Sequence, residues 1–408
     1  MAVTVIVAFS MTVTALASAK PNVLLILVDD LRPLFGKSFG VPEVLAPNID
    51  SFFLDGGTAF QNSYVQIAVC GPSRSSMLTS RRPDTTTVGT NERHAGGGDN
   101  GGWCWCRRTN CSASALFMTL PTYFRQHGYA TAGAGKVFHP DACNGMMPRH
   151  HSGFSHKEGD DPRAWSNGYA VEANFSQEQW GSIPGPYDPV FNYRMGLSFN
   201  ESNLSDEEQT DGMLANDAIQ KLDEFRGIDK PFFLAVGFHK PHLPHIVPKK
   251  YFDLYDPANI TLPPNPRVPS NFLEENWHAD GNAEMMSYNL NAGPEFAKEG
   301  FAFNNPIGDD FAKKMRHGYF AATSFIDAQV GRVLATFEKN GFANNTIVVL
   351  WSDHGWHLVR ARVLNRTFIK NRVLRVEVCD CFVLGRTPLQ SAITTSYPVR
   401  VTPTVGAK

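Results

Sequence analysis

The chain has 408 residues and a formal net charge of −2, with 37 basic and 39 acidic side chains. This length exceeds that of one typical core, which predicts either a large domain or two domains. A nearly balanced charge argues against nucleic acid as the main partner, because nucleic-acid binding needs a basic surface.

The first segment of the chain has the composition of a secretory signal. Residues 1–19 are apolar and uncharged and end in Ala17-Ser18-Ala19, a small-residue pattern typical of a cleavage site. We therefore predict a signal peptide, although its start lacks the usual positive charge. The alternative is a membrane anchor, but the segment is short for a span and is interrupted by Ser and Thr. No other stretch is long and apolar enough, so we expect no stable membrane insertion after cleavage.

Strand-like and helix-like segments alternate along the rest of the chain. Predicted strands are residues 21–28, 129–134, 232–236 and 346–352. Predicted helices are residues 74–80, 120–127, 210–225 and 316–339. Between them, residues 141–210 and 256–310 read as mostly irregular excursions, which in enzymes often shape substrate access. The alternation predicts an α/β fold with a mixed or parallel sheet flanked by helices.

Two of the predicted strands end in side chains of the kind that bind metal ions. Both strands are continuous apolar runs rich in β-branched residues, which indicates burial on both faces of a sheet. The polar side chains that follow them are Asp29 and Asp30 after residues 21–28, and Asp353 and His354 after residues 346–352. Because sites in open parallel sheets form beyond the carboxyl ends of strands, we expect these four side chains to converge. Their oxygen-rich set suits one hard divalent cation, Ca²⁺ or Mg²⁺.

A short cysteine motif lies between these two strands. Cys70 is followed by Pro72 and Arg74, just before the helix predicted at residues 74–80. The pattern Cys-x-Pro-x-Arg also occurs by chance, in which case the cysteine is a small buried residue at a helix start. The match extends through residue 84, and two predicted strands of the same chain end in potential metal ligands. Both observations favour a functional motif.

This stretch resembles the maturation signature of the sulfatase family. In that family a formylglycine-generating enzyme of the secretory pathway oxidises the cysteine to formylglycine. The resemblance implies that the hydrate derived from Cys70 attacks the sulfur of a sulfate ester, and that one of its oxygens is a further ligand of the cation. It also implies an alkaline-phosphatase-like large domain with a mostly parallel mixed sheet, and Ca²⁺ as the cation.

The resemblance further implies roles for cationic side chains that suit the chemistry of a sulfate anion. Arg74 would orient the hydrate and support the metal site. Lys136 and His139 would bind sulfate or assist its attack. His242 would donate a proton to the leaving oxygen. His239 and Lys240, just before it, are read as surrounding residues without a catalytic role.

Several short blocks resemble one branch of the family, whose members act on 2-O-sulfated iduronate of heparan and dermatan sulfate. They are residues 28–33, 81–86, 135–140, 232–242 and 352–356. Their order and spacing support the resemblance, and the resemblance implies a sulfated saccharide as substrate and a lysosomal or secreted location. Seven Asn-x-Ser/Thr acceptors suit this location: Asn110, Asn174, Asn200, Asn203, Asn259, Asn344 and Asn365. So do six cysteines besides Cys70, read as disulfide partners or free thiols: Cys104, Cys106, Cys111, Cys143, Cys379 and Cys381.

The likeness fails in two regions. Residues 88–117 show no clean match, and after residue 357 the family pattern stops. Residues 358–408 carry nine basic and two acidic side chains, and neither another active-site lysine nor a smaller C-terminal subdomain is recognisable there. The predicted organisation is therefore a signal peptide (1–19), a catalytic domain (20–357) and a divergent basic tail (358–408) on a truncated sulfatase domain. An unpaired sheet edge is expected beside the strand at residues 346–352.

Three interpretations stay open at this point. The favoured one is a sulfatase acting on a sulfated sugar. A phosphatase or phosphodiesterase of the same superfold would want two or more metal ions and a Ser or Thr nucleophile, so Cys70 argues against it. The third is a catalytically impaired truncated product that acts at most as a binding protein, whereas a lineage-specific tail that packs on the core would leave activity intact.

Overall fold

The computed structural model describes residues 20–33, 35–54, 56–86, 88, 117–139, 163–166, 169–170, 187–188, 193–194, 199–263, 308–356 and 380–386. The predicted signal peptide lies outside these residues. So do three of the glycosylation acceptors and five of the cysteines: Asn110, Asn174, Asn365, Cys104, Cys106, Cys111, Cys143 and Cys379.

The described residues form eleven strands and seven α-helices. The strands are β1 Asn22–Val28, β2 Thr58–Tyr64, β3 Ala130–Gly135, β4 Tyr169–Ala170, β5 Tyr187–Asp188, β6 Tyr193–Arg194, β7 Phe199–Ser202, β8 Phe232–Phe238, β9 His245–Pro248, β10 Thr346–Ser352 and β11 Asp380–Arg386. The helices are α1 Pro47–Leu54, α2 Cys70–Thr79, α3 Pro83–Thr86, α4 Leu120–Gln126, α5 Thr210–Phe225, α6 Lys249–Phe252 and α7 Asp309–Lys339.

Seven strands form the main sheet in the order β2-β11-β10-β1-β8-β3-β4. The strand β1 runs parallel to both of its neighbours, β10 and β8, and β3 runs parallel to β8 and β4. The antiparallel pairs in this sheet are those that β11 makes with β10 and with β2. The predicted α/β fold with a mixed, mostly parallel sheet flanked by helices is therefore confirmed.

The central strand β1 is apolar throughout because both of its faces are covered. Leu24, Ile26 and Val28 pack in the larger core, which includes residues of α5 and α7. Leu25 and Leu27 point to the other side, into a smaller core with Leu78 of α2. Full burial of each such side chain stabilises the fold by about 1.5–3 kcal/mol. The two layers thus fix β1, and with it the residues that follow β1, from both sides.

The element boundaries differ from the predicted ones at several points. The last helix begins at Asp309 rather than 316, with two acidic residues in its first turn, where they suit the helix dipole. The helix after the cysteine motif begins at Cys70 itself. Residues 141–210 contain the short strands β4 to β7. None of the helices in the described ranges combines the length and apolar composition that a bilayer span requires.

The expected unpaired edge beside β10 does not occur. β11, which belongs to the predicted basic tail, pairs with β10 on one side and with β2 on the other. Trp351 stands opposite Val383 in this pairing. Backbone pairing of this kind satisfies the strand groups that an edge would leave open.

Two glycines let β3 and β8 approach closely at the end of the sheet. Gly135 has a φ of +69°, in the left-handed region, and pairs with Gly237. A Cβ atom at Gly237 would lie 2.1 Å from the carbonyl carbon and oxygen of Lys136. No side chain fits at this distance, so the path of the chain at Lys136 depends on glycine at position 237.

We predict that Gly237→Ala displaces the backbone at Lys136 and destabilises the protein by about 1–3 kcal/mol or more, the usual cost of overpacking. Thermal unfolding followed by circular dichroism measures this loss. Gly227→Ala is the matched control, because a Cβ there would meet its nearest atom at 3.8 Å. Equal melting temperatures for the two variants would contradict the prediction.

Candidate active site

The site forms where β1 and β10 end side by side. These strands pair in register up to Val28 and Ser352, so the residues that follow are neighbours although they are more than 300 positions apart in sequence. Asp30 donates its backbone N–H to Asp353 Oδ1 at 3.0 Å. The predicted convergence of the two strand ends thus follows from the parallel pairing.

Cys70 is the first residue of α2 and is fully buried. Its Sγ atom lies 3.4 Å from Asp29 Oδ1, 3.5 Å from Lys136 Nζ and 3.3 Å from His354 Nε2. The amino end of a helix carries a partial positive charge, which favours an anion at this position. Lys136 and the start of α2 therefore stabilise negative charge at Cys70, whereas the carboxylate of Asp29 opposes it.

Four of the five predicted metal ligands offer atoms within 4.8 Å of one another: Asp29, Asp30, Cys70 and His354. The fifth, Asp353, lies beside them, with Oδ2 at 3.6 Å from His354 Nε2. All five are buried.

This donor set fits a hard divalent cation. Buried carboxylates repel one another unless a positive charge lies between them. The buried Nδ1 atom of His354 lies 2.9 Å from Asp30 Oδ1. Burial opposes a charge on His354, but Asp353 and Asp30 outweigh burial and raise the pKa of His354 well above its ordinary value, so these carboxylates attract a positive charge to this point. Oxygen donors dominate, and they are the donors that Ca²⁺ and Mg²⁺ prefer.

Arg74 bonds to the residues that follow both strands. Its Nε donates to Asp353 Oδ2 at 2.9 Å and its Nη2 to Asp29 Oδ1 at 3.2 Å, while Nη1 donates to the carbonyl of Lys136. Burial opposes its charge, but the two carboxylates outweigh burial and raise the pKa of Arg74 above its ordinary value. Arg74 is therefore a permanent cation that fixes three segments of the site.

Lys136 supplies a second buried cation. Its Nζ contacts Asp29 Oδ2 directly. Burial opposes the ammonium form, yet Asp29 and Cys70 raise the pKa of Lys136. For Asp29 itself, burial is outweighed by Lys136, His242 and Arg74, which hold its pKa well below the ordinary value. Lys136 and Asp29 are thus both charged, and both lie against Cys70.

The histidines of the predicted set occupy different positions. His242 Nε2 lies 3.9 Å from Asp30 Oδ2, and its Nδ1 is 2.6 Å from the carbonyl oxygen of Leu243. Because a carbonyl only accepts, Nδ1 carries a proton and Nε2 faces the cluster. His139 lies three residues beyond Lys136, at the end of a described segment, and is half-buried.

A carboxylate that the sequence analysis missed holds the His242 turn in place. Asp211, at the start of α5, accepts the backbone N–H groups of His239 and Lys240 at 2.7 and 2.9 Å. His242 in turn donates its N–H to the carbonyl of His239 at 2.9 Å. Asp211 is 1% exposed, so this clamp on the turn is shielded from water. An acidic residue in the first turn of a predicted helix was the available signal, but it did not indicate the partner.

Asp30 is held in a strained conformation by further contacts that the sequence does not reveal. Its φ is 61°, in the left-handed region, where a non-glycine residue costs about 1–3 kcal/mol. Tyr319 donates to its carbonyl and Trp356 Nε1 to its Oδ2, each at 2.7 Å. These bonds over-determine the position of a candidate ligand, which is typical of functional sites.

Comparison with known proteins agrees with this geometry. A family model described as Sulfatase matches residues 21–389, a span that includes β11. Human iduronate 2-sulfatase is 36% identical over 347 residues, covering 83% of this chain and 55% of the relative. A sulfatase of Formosa agariphila is 32% identical over 344 residues, covering 83% of this chain and 59% of the relative. The chain thus spans little more than half the length of these relatives.

Solved structures share the fold. A 2-O GAG sulfatase, BT1596, aligns with a TM-score of 0.53 at 18% identity, covering 90% of this chain and 64% of that chain. A phosphonate monoester hydrolase of Agrobacterium radiobacter aligns with a TM-score of 0.58 at 20% identity, covering 90% and 68%. Since the family model covers most of the sequence and relatives above 30% identity cover 83% of it, the chain belongs to the sulfatase family.

Proposed function

We propose that this chain hydrolyses sulfate esters of a sulfated sugar, with 2-O-sulfated iduronate of heparan or dermatan sulfate as the substrate. The observation that carries the proposal is the environment of Cys70, whose Sγ is within 3.5 Å of Lys136 Nζ, His354 Nε2 and Asp29 Oδ1. Its Sγ marks where an oxygen of a formylglycine hydrate would stand. The names of the relatives, iduronate 2-sulfatase among them, support the choice of sugar.

Formylglycine formed from Cys70 would supply a carbon with two hydroxyls, one to attack sulfur and one to expel sulfate by breaking the carbon–oxygen bond. A divalent cation, Ca²⁺ in this proposal, would be held by Asp29, Asp30, Asp353 and His354 and would offset developing negative charge. Lys136 would bind a sulfate oxygen with its buried ammonium.

The leaving alkoxide needs a proton, and His242 is placed to give one. Its Nδ1 is committed to the carbonyl of Leu243, which leaves Nε2 as the group facing the cluster. Arg74 does not face substrate in this scheme: its donors are used by Asp29, Asp353 and the carbonyl of Lys136. It keeps the attacking group, the sulfate-binding lysine and the metal ligands in one geometry. His139 would lie at the sulfate side with Lys136.

Maturation would have to precede folding. Cys70 is 0% exposed, and nine of the ten residues of α2 are buried. A formylglycine-generating enzyme would therefore reach it only in an extended chain, during secretion. A secreted or lysosomal location is supported by exposed Asn203, Asn259 and Asn344, three glycosylation acceptors within the described residues.

The proposal is tested directly by expressing the full chain in a secretory host with its formylglycine-generating machinery. Mass spectrometry of the peptide that contains Cys70 measures conversion, and hydrolysis of a fluorogenic iduronide 2-sulfate measures activity. A phosphonate monoester serves as the comparison substrate. Conversion with preferred turnover of the sulfate ester is expected, and preferred turnover of the phosphonate by an unconverted chain would contradict it.

Cys70→Ser should abolish multiple turnover, because a sulfated serine has no second hydroxyl with which to expel sulfate. At most one product molecule per protein molecule is expected, with a stable sulfate ester on the serine peptide. The thermal unfolding temperature should stay close to that of the unmutated chain, since the swap is nearly isosteric. Sustained turnover in this variant would refute the formylglycine mechanism.

Removal of one ligand should remove the metal. Asp30→Asn is expected to lose the cation and nearly all activity, whereas Asp253→Asn, an exposed carboxylate paired with Lys249, keeps both. Elemental analysis of the purified proteins gives the metal content. A chelator should also lower the unfolding temperature of the unmutated chain, because a bound ion stabilises only the folded state. An active protein without bound metal would contradict the assignment.

Asp211→Asn should slow the reaction by misplacing His242. The amide offers one acceptor oxygen where the carboxylate offers two, so one of the backbone bonds from His239 and Lys240 is lost. Because a good leaving group needs little protonation, we expect at least a tenfold loss of kcat on the sugar sulfate and a much smaller loss on an aryl sulfate. Asp223→Asn, on the exposed side of the same helix, is the control. Equal losses on both substrates would mean that Asp211 has only a structural role.

A further inference from the structure

Arg316 is a buried cation that the site described above does not use. It lies in α7 and is 6% exposed. Its Nε atom is buried and has no hydrogen-bond partner. Within the described ranges no carboxylate lies within 4.0 Å of its guanidinium. Its guanidinium carbon lies 5.1 Å from the centroid of the Phe320 ring, an apolar neighbour that stabilises a cation without neutralising its charge.

The charges around Arg316 increase this imbalance. Burial, and then the nearby positive charge of Arg32, lower the pKa of Arg316 to about 10, while Glu43 opposes the shift. Glu43 is exposed to solvent, so water screens its attraction. A buried charge without a close counter-ion is costly for a folded protein. An anion bound from outside would supply the missing counter-charge.

Arg32 is bonded to the residues that hold Asp30, and Arg316 shares a helix with one of them. Tyr319, one helical turn beyond Arg316, donates to the carbonyl of Asp30 and accepts the backbone N–H of Arg32, each at 2.7 Å. Arg32 Nη1 donates to the carbonyl of Trp356 at 3.3 Å, and Trp356 Nε1 donates to Asp30. Arg32 is thus bonded to the two residues that hold Asp30, and Arg316 lies on the same face of α7 as one of them, Tyr319.

We propose that Arg316, with Arg32 beside it, forms a second anion subsite that binds an oxyanion on the substrate other than the scissile sulfate group. The proposal rests on the proposed sulfatase function and gives it a specificity determinant. The ligand chemistry is a sugar-borne carboxylate or a second sulfate, because a guanidinium donates two parallel N–H bonds to either group. A sugar with both a scissile sulfate and such a group would engage the cluster and the subsite together.

The test measures binding to the full chain carrying Cys70→Ala, so that affinity is read whether or not the chain turns over. Calorimetry gives the Kd of three probes: a methyl iduronide 2-sulfate, a neutral hexoside with one sulfate, and a neutral hexoside with two sulfates. Arg316→Met should weaken binding of a two-anion probe by about tenfold or more, as expected for a lost charge-assisted bond. The single-sulfate probe should change less than threefold. Whichever two-anion probe loses affinity identifies a carboxylate or a sulfate as the ligand.

The unfolding temperature is a second readout, because a purely structural role of Arg316 would predict that its removal lowers this temperature. Arg316→Met removes an uncompensated buried charge, so its unfolding temperature should equal or exceed that of the parent. Arg332→Met is the matched control on α7, since Arg332 is bonded to Gln329 and Asn216 and should leave all three Kd values unchanged. Should Arg316→Met fail to fold, Arg316→Lys keeps the charge and loses the two-bond fork, and it should still weaken binding of the two-anion probe selectively.

The subsite would be overturned if folded Arg316 variants kept the parent's ratio of affinities for the two-anion and single-sulfate probes. It would also be overturned if the parent bound neither two-anion probe more tightly than the single-sulfate probe. Failure of the proposed function is a separate result: the converted wild-type chain would then hydrolyse neither the iduronide 2-sulfate nor a simple aryl sulfate.

Discussion

Three carboxylates packed together at the ends of two neighbouring strands impose the main constraint on the candidate site. Asp29, Asp30 and Asp353 are all fully buried, where like charges repel far more strongly than in water. Arg74 bonds to two of them and Lys136 to one. Removal of Arg74 would leave Asp353 without its arginine partner, and breaking a buried pair in this way typically costs about 3–5 kcal/mol. The same network fixes Cys70 at the start of α2.

This arrangement explains why the residues of the candidate site are so dispersed along the chain. The parallel pairing of β1 with β10 joins residues from the two ends of the domain, and β8 adds the His242 turn on the other side of β1. Parallel strands need long crossover connections, so everything between them can vary while their carboxyl ends stay adjacent. Glycine at position 237 then allows the chain at Lys136 to approach from β3. The site is thus a consequence of strand order, not of any local segment.

Local signals in the sequence predicted part of the site, whereas contacts between residues far apart in sequence could not be predicted. Asp29, Asp30, Asp353 and His354 were predicted to converge because each pair ends a visibly buried strand, and Cys70 because it lies in a motif. The roles of Asp211, Tyr319 and Trp356 were missed, since each acts on a residue far away in sequence and nothing local indicates the partner. β11 was missed for a similar reason: its short apolar run lies among basic residues, and only pairing with β10 identifies it as a strand.

The balance of charge in the candidate site bears on the proposed cation and the proposed anionic substrate. Apart from the histidines, three buried carboxylates face the two cations Arg74 and Lys136, which leaves one negative charge. As the proposed proton donor, His242 must carry a proton on both ring nitrogens, and this positive charge offsets the remaining negative one. The proposed divalent cation would make the net charge of the cluster positive, which would favour binding of a sulfate monoanion. The charge that develops on the leaving oxygen would then meet groups already arranged to receive it.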